Sequence, residues 1–206
     1  MAAENTVFVV DDDADVRDSV CALLESAGLQ GEAYESAHAF LRAYVPGRAG
    51  CIIADVRMPD MDGLALQDEL RRRGVALPVI VITGHADVPL AVRAMKAGAI
   101  DFIEKPFDDG QLIATVKRAL TQAAGAREQA AALEAAASRI ATLSARERQV
   151  LEHLVAGRSN KVIAYELDIS PRTVEIHRAH VMEKMEARSL SDLVRAALAA
   201  GIPGAR

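Results

Sequence analysis

The stretch VFVVDDDADVRD, residues 7–18, joins an unbroken apolar run to three consecutive carboxylates. Val7, Phe8, Val9 and Val10 are β-branched or aromatic, which suits a strand covered on both faces, while the charged residues that follow take up helical spacing. The junction therefore marks the carboxyl end of a buried strand, and Asp11, Asp12 and Asp13 crowd against it. Alone, such a triplet is most often a solvated helix N-terminus, where carboxylates meet the positive end of the helix dipole. The ends of the other strands decide whether it is more than that.

Working outward, the same alternation continues to about residue 120. The apolar runs are TVFVV, QGEAY, CIIAD, PVIVIT and AIDFI, of which the first, third and fourth are almost continuously apolar. Between them lie helical patterns such as residues 15–28, 63–74 and 88–98, each closing on a glycine that suits a left-handed C-cap. Strand and helix repeating in this order predict an α/β doubly wound, five-stranded parallel sheet over residues 1–120. Residues 121–143, TQAAGAREQAAALEAAASRIATL, then change to an alanine-rich helix former with little to bury. Its seam positions are Ala126, Ala130, Leu133, Ala137 and Ile140, spaced four and three. The stretch reads as a solvent-bridging helical linker, with a weak dimer seam as the alternative.

From residue 144 to 206 the pattern is wholly helical with short loops. Ser144 and Glu147 have capping-box spacing, Gly157 closes that helix, and Pro171 stands in the first turn of a later one. Four helices in about 60 residues form an all-α bundle that contains a helix-turn-helix.

Composition agrees with two modest globular domains: 206 residues, 51% hydrophobic and 26% charged. No apolar run approaches the roughly 20 residues of a membrane span, and the first residues lack a basic region and cleavage site, so a cytoplasmic protein with no membrane partner is expected. Cys21 and Cys51 lack metal or redox spacing and read as reduced core residues. The net charge of −5 divides into −7 for residues 1–143 and +2 for residues 144–206. Nucleic acid is thus a partner only for the C-terminal part, on a weak charge signal.

In a doubly wound sheet, ligands bind beyond the carboxyl ends of the strands where the strand order reverses. Asp11 and Asp12 follow the first strand, and Asp55 ends the third in CIIADVRMPDMDG. If those strands are neighbours, their carboxylates converge and repel, which is tolerable with a cation present; a hard divalent ion, Mg²⁺, fits a few carboxylate oxygens with waters and phosphate oxygens. Thr83 ends the fourth strand, and Lys105 follows the fifth in AIDFIEKPF, before a proline. A carboxylate nucleophile, a metal, a hydroxyl and a lysine about one point describe a site for an incoming phosphoryl group. That coincidence at several strand ends outweighs the solvated-terminus reading.

Residues 5–120 resemble the receiver domain of two-component response regulators, a flavodoxin-like fold. ADVRMPDMDG (residues 54–63), ITGHADVPLAVRAMKAGAIDFIEKPF and LSARERQVL together resemble the FixJ branch, which adds a LuxR-type DNA-binding domain. The resemblance implies that Asp55 accepts the phosphoryl group and that Asp11, Asp12, Asp55 and the backbone carbonyl of Arg57 hold Mg²⁺. Thr83 and Lys105 would bond the phosphoryl oxygens. Phe102, by itself an ordinary core aromatic, would turn inward when Thr83 moves. The resemblance also implies a cis Lys105–Pro106 bond, Asp13 spare at the rim, and Arg57 and His85 tuning phosphoryl loss. The chain would be no enzyme, only accepting the group and losing it slowly.

For the second domain, a 3.6-residue wheel over SPRTVEIHRAHVMEKM gathers Val174, Val181 and Met185 on the buried side, with Arg172, Glu175, Ile176, Ala179 and Glu183 broadly opposite. Resemblance to LuxR-type domains puts Glu175, Ile176 and Ala179 at base-facing positions, where Glu accepts from cytosine and apolar groups meet thymine methyls. Phosphate contacts fall to Lys161, Arg172, Thr173, His177 and Arg178, with Lys184 as a further candidate. Arg178 lies near the buried side and must snorkel, and His177 is equally readable as a structural histidine. Leu190, Leu193, Val194 and Leu198 mark the last helix as core and dimer contact.

The expected function is a transcription activator switched by phosphorylation of Asp55. Movement of Thr83 and Phe102 would remodel the face carrying Val92 and Lys96, pairing two otherwise monomeric receivers on double-stranded DNA. The donor would be a sensor histidine kinase, FixL-like and oxygen-sensing if the resemblance extends to pathway, with nitrogen-fixation or microaerobic targets and RNA polymerase as a further partner. Two rivals stand beside it: a Mg²⁺-dependent phosphohydrolase, which lacks a general base and substrate pocket here, and a receiver that only docks on a constitutive DNA binder.

Overall fold

The computed structural model describes residues 5–84 and 88–203, so His85 lies outside the described residues. The chain divides into two compact units, Met1–Ala126 and Arg127–Arg206.

The first unit holds β1 (Thr6–Val10), α1 (Ala14–Ser26), β2 (Gln30–Tyr34), α2 (Ala37–Ala43), β3 (Gly50–Asp55), α3 (Gly63–Arg72), β4 (Val79–Thr83), α4 (Val88–Lys96) and β5 (Asp101–Glu104), and takes the first part of α5 (Asp109–Ala141). All five strands pair in parallel in the order β2-β1-β3-β4-β5. The period-two alternation of strand side chains explains the layers. Phe8, Val10, Ile52, Ala54 and Val81 face one way, onto Phe40 of α2, Leu66 and Leu70 of α3 and Ala94 of α4. Val7, Val9, Cys51, Ile53, Ile80 and Ile82 face the other way, onto Val20 and Leu24 of α1 and Leu112 and Val116 of α5. β1, β3 and β4 are buried throughout, as their unbroken apolar runs require.

Gly28, Gly74 and Gly98 follow α1, α3 and α4 with positive φ, the left-handed stops expected from the pattern. α2 is a seven-residue helix, too short for its apolar spacing to mark it in the sequence. Its signals were Ser36, whose side chain caps the Ala39 N–H, and fully buried Phe40. Cys51 is core, and burial pushes its thiol up to about 12. Cys21 is only half-buried, because it sits at the edge of the α1 stripe that faces the sheet; burial, and then Asp18, raise its pKa.

α5 is one continuous 33-residue helix. Leu112, Val116, Ala119 and Leu120 cover the sheet, residues 124–134 are exposed, and Ile140 enters the core of the second unit. High alanine propensity carries the helix through the exposed stretch, where packing cannot. Of the seam positions, Ala126, Ala130, Leu133 and Ala137 are exposed and Ile140 is core.

The second unit continues with α6 (Ala145–Val155), α7 (Asn160–Glu166), α8 (Pro171–Lys184) and α9 (Leu190–Ala199). Each opens on a serine cap, Ser144, Ser159, Ser170 and Ser189, whose hydroxyl accepts a backbone N–H three residues on. Val150, Leu151, Ile163, Val174, Val181, Met185, Leu193 and Ala197 form the core, so the wheel placed the buried side of α8 correctly.

Candidate functional site

The strand order reverses at β1 and β3, which lie side by side with Val10 opposite Ala54. That register places Asp11, one residue past β1, next to Asp55, the last residue of β3. β4 and β5 pair with Thr83 opposite Glu104, and the Lys105 backbone N–H donates to the Thr83 carbonyl at 2.7 Å. The Lys105 side chain thereby reaches across the carboxyl ends of the strands. Its Nζ donates to Asp11 Oδ2 at 2.6 Å and to Asp55 Oδ1 at 2.7 Å. The other oxygens are also held: Asp11 Oδ1 accepts the Asp13 N–H at 2.9 Å, and Asp55 Oδ2 accepts the Arg57 N–H at 2.5 Å. Thr83 is buried, and the Lys105–Pro106 peptide is cis.

Asp11 is 1% exposed and Asp55 5%, so both carboxylates have lost most of their hydration. Burial raises the pKa of Asp55; the Lys105 hydrogen bond and charge oppose this, and the neighbouring Asp11 adds to it. Burial pulls the Lys105 ammonium down, but Asp11 and Asp55 outweigh it and hold its pKa above the usual value. Two buried carboxylates against one ammonium leave an excess of negative charge, with Asp12 exposed at the rim. This all-oxygen, net-negative donor set fits a hard divalent cation. Among the described residues no three acidic, His or Cys side chains are drawn together into a ready metal set: Lys105 occupies the centre between Asp11 and Asp55, and Asp12 stands apart.

Asp13 has a defined place. Its carboxylate caps α1 by accepting from the Asp15 N–H at 2.9 Å and the Val16 N–H at 3.4 Å, while its own N–H fixes Asp11. The triplet therefore satisfies both readings of it at different residues: Asp13 serves the helix, and Asp11 faces the crevice. Arg17, unnoticed in the sequence, donates from Nη1 to the Asp11 carbonyl at 2.8 Å. Gly63 opens α3 against the end of β3, where a Cβ would lie 2.3 Å from the Asp55 carbonyl oxygen, so only glycine permits this approach.

Phe102 is half-buried on β5, beside Val81, and packs on the core face shared with α3 and α4. Val92 and Lys96 are exposed on α4, together with Val88 and Met95. A groove of about 390 Å³ runs from Asp15, Val16 and Ser19 of α1 to Lys105, Pro106 and Phe107, and so reaches the lysine from outside.

In the second unit, α8 exposes Arg172, Glu175, Ile176 and Ala179, and Lys161 is exposed in the first turn of α7. His177 and Arg178 are half-buried, Arg178 in keeping with its place near the buried side of the wheel. Thr173 is tied into the α8 cap, its Oγ1 2.8 Å from Ser170 Oγ. Lys184 is engaged within the domain: its Nζ donates to Glu147 Oε2 at 2.6 Å and reaches the Thr142 carbonyl at 3.5 Å. α9 buries Leu193 and leaves Leu190 and Leu198 exposed along one side.

Residues 7–117 match the family described as response regulator receiver domain, and residues 141–197 match bacterial regulatory proteins, luxR family. The chain is 58% identical to the transcriptional regulatory protein FixJ of Azorhizobium caulinodans, over 95% of this chain and 93% of that protein. It is 51% identical to the protein of the same name from Bradyrhizobium diazoefficiens, over 98% of each. The solved structure of the response regulator StyR superposes with a TM-score of 0.84 at 41% identity, covering 95% of this chain and 99% of that one.

Proposed function

Because this chain belongs to the FixJ-type response regulators, which join a receiver domain to a LuxR-type DNA-binding domain and regulate transcription, we propose that phosphorylation of Asp55 is its switch. The supporting observation is the buried Asp11–Lys105–Asp55 bridge at the strand-order reversal.

The Asp55 carboxylate attacks phosphorus on a donor phosphohistidine; the P–N bond breaks as the P–O bond forms. Lys105, already 2.7 Å from Asp55 Oδ1, keeps its ammonium on the new phosphoryl oxygens, and the Thr83 hydroxyl turns to bond another. Asp11, Asp12, Asp55 and the Arg57 carbonyl would hold Mg²⁺, which when bound would neutralise charge on the transferring group. Displacement of Thr83 draws Phe102 inward and reshapes the α4–β5 face carrying Val92 and Lys96. Two receivers then pair through that face, from a monomeric resting state. The group shifts an existing equilibrium by as much as it favours the paired state.

A receiver has a sensor histidine kinase as partner, and a LuxR-type domain binds DNA. The finer assignment is a FixL-like oxygen sensor, nitrogen-fixation or microaerobic genes, recruitment of RNA polymerase, and a cytoplasmic location; no helix among the described residues is long and apolar enough to cross a membrane. Residues 1–120 are the receiver, 121–143 the linker and 144–206 the DNA-binding domain. The family consists of regulators rather than enzymes, and slow loss of the phosphoryl group from Asp55 is part of the proposal. Glu175, Ile176 and Ala179 face bases; Lys161, Arg172, Thr173, His177 and Arg178 face phosphates, while Lys184 stays with Glu147.

Sedimentation of the full chain with Mg²⁺, before and after acetyl phosphate, tests the switch. The expected result is monomer becoming dimer in the parent and remaining monomer in Asp55→Asn. A state that does not change in the parent would contradict it.

A further inference from the structure

We infer that Arg17 is a positioning residue of the phosphoryl site, holding the β1–α1 turn so that Asp11 keeps its place when a divalent cation disturbs its contact with Lys105. This rests on the reading of the site above.

Arg17 lies in the first turn of α1, where the helix dipole favours acidic residues over a cation. Helix chemistry therefore does not explain a guanidinium here. Instead of extending into water, the side chain is half-buried and turns back past the cap, donating from Nη1 to the Asp11 carbonyl at 2.8 Å. Each polar group of Asp11 is then engaged: its N–H donates to the Tyr34 carbonyl at 3.2 Å, its carbonyl accepts from Arg17, Oδ1 accepts from the Asp13 N–H and Oδ2 accepts from Lys105. Of these, the Lys105 contact is the one a cation among the carboxylates must disturb. What keeps Asp11 in place is then the strand, the Asp13 N–H and Arg17. Among the described residues Arg17 is the only side chain that hydrogen-bonds the Asp11 backbone, and it joins the loop bearing Asp11 and Asp12 to the rigid helix behind it.

The direction of the effect separates positioning from simple electrostatics. A positive charge beside a cation site repels the cation, so by Coulomb's law alone its removal tightens binding. A lost anchor does the opposite, because the turn must then be ordered at the moment of binding.

The test is calorimetric titration of the full chain with MgCl₂, for the parent, Arg17→Ala and Arg17→Lys, each shown folded by circular dichroism. Positioning predicts roughly tenfold weaker Mg²⁺ binding in Arg17→Ala, the size of one charge-assisted hydrogen bond, and partial recovery in Arg17→Lys. With acetyl phosphate, the loss should appear in the Mg²⁺ half-saturation more than in the rate at saturating Mg²⁺. Unchanged or tighter binding in Arg17→Ala, or a loss that lysine does not relieve at all, overturns the positioning role while leaving the site reading intact. Failure of the parent to bind Mg²⁺ overturns the site reading and the positioning role together.

Discussion

Lys105 stands between two carboxylates that are almost fully buried, and its ammonium offsets the repulsion between them. Lys105→Met leaves Asp11 and Asp55 facing each other with no counter-charge. Stripping one partner from a buried ion pair costs about 3–5 kcal/mol, and the partial exposure of this lysine lowers the expectation to roughly 2 kcal/mol. Urea unfolding in metal-free buffer should show that loss, and Mg²⁺ should restore much of it by binding the folded state alone. Residue types at strand ends were legible in the sequence, since Asp11, Asp55, Thr83 and Lys105 each follow or close an apolar run. Their mutual contacts were not. The reach of Arg17 back over the cap and the capping role of Asp13 depend on loop geometry, which has no period to read.

At the scale of elements, the strands were the most readable part, because burial on both faces demands continuous apolar runs. QGEAY was the weakest signal, and β2 is accordingly an edge strand, exposed over most of its length. Helix ends marked by glycine were found, whereas α2 was too short for its spacing to stand out. The continuity of α5 was hidden for a different reason: its stripe of buried residues changes partner from the sheet to the second core, so no single period spans it. The capping box opening α6 was legible, but its tertiary use was not. Glu147 is buried and accepts from Lys184 Nζ and the Ser144 N–H, with His180 Nδ1 3.6 Å away, tying the start of α6 to the end of α8. The Lys184 hydrogen bond, and then the Ser144 N–H, hold the Glu147 carboxyl down at about 2. A folded-state pKa below the unfolded one contributes stability above about 4.3 that is lost as pH falls toward the folded value. Thermal unfolding should therefore show the second unit weakening across that interval. Glu147→Gln should be less stable at pH 7 and show a flatter acid dependence; an unchanged acid profile would refute the assignment.

At the scale of the whole molecule, an acidic crevice in one unit accompanies a LuxR-type helix-turn-helix in the other. The charge division between the two parts was visible from composition alone, but +2 over residues 144–206 could not say which side chains meet DNA. On α8, Arg172, Glu175, Ile176 and Ala179 are exposed. Arg172→Ala should weaken binding to all sequences alike and lower the salt slope by about one. Glu175→Gln should instead relax the preference at one base pair by about 1–3 kcal/mol, measurable by competition with single-base operator variants.

The proposed switch rests on Asp55 as the acceptor. The most direct test is the intact mass of the purified chain after incubation with Mg²⁺ and acetyl phosphate, beside Asp55→Asn treated identically. One phosphoryl adduct is expected in the parent and none in the variant. An adduct of equal yield in both, or none in the parent even with a cognate histidine kinase, would contradict it.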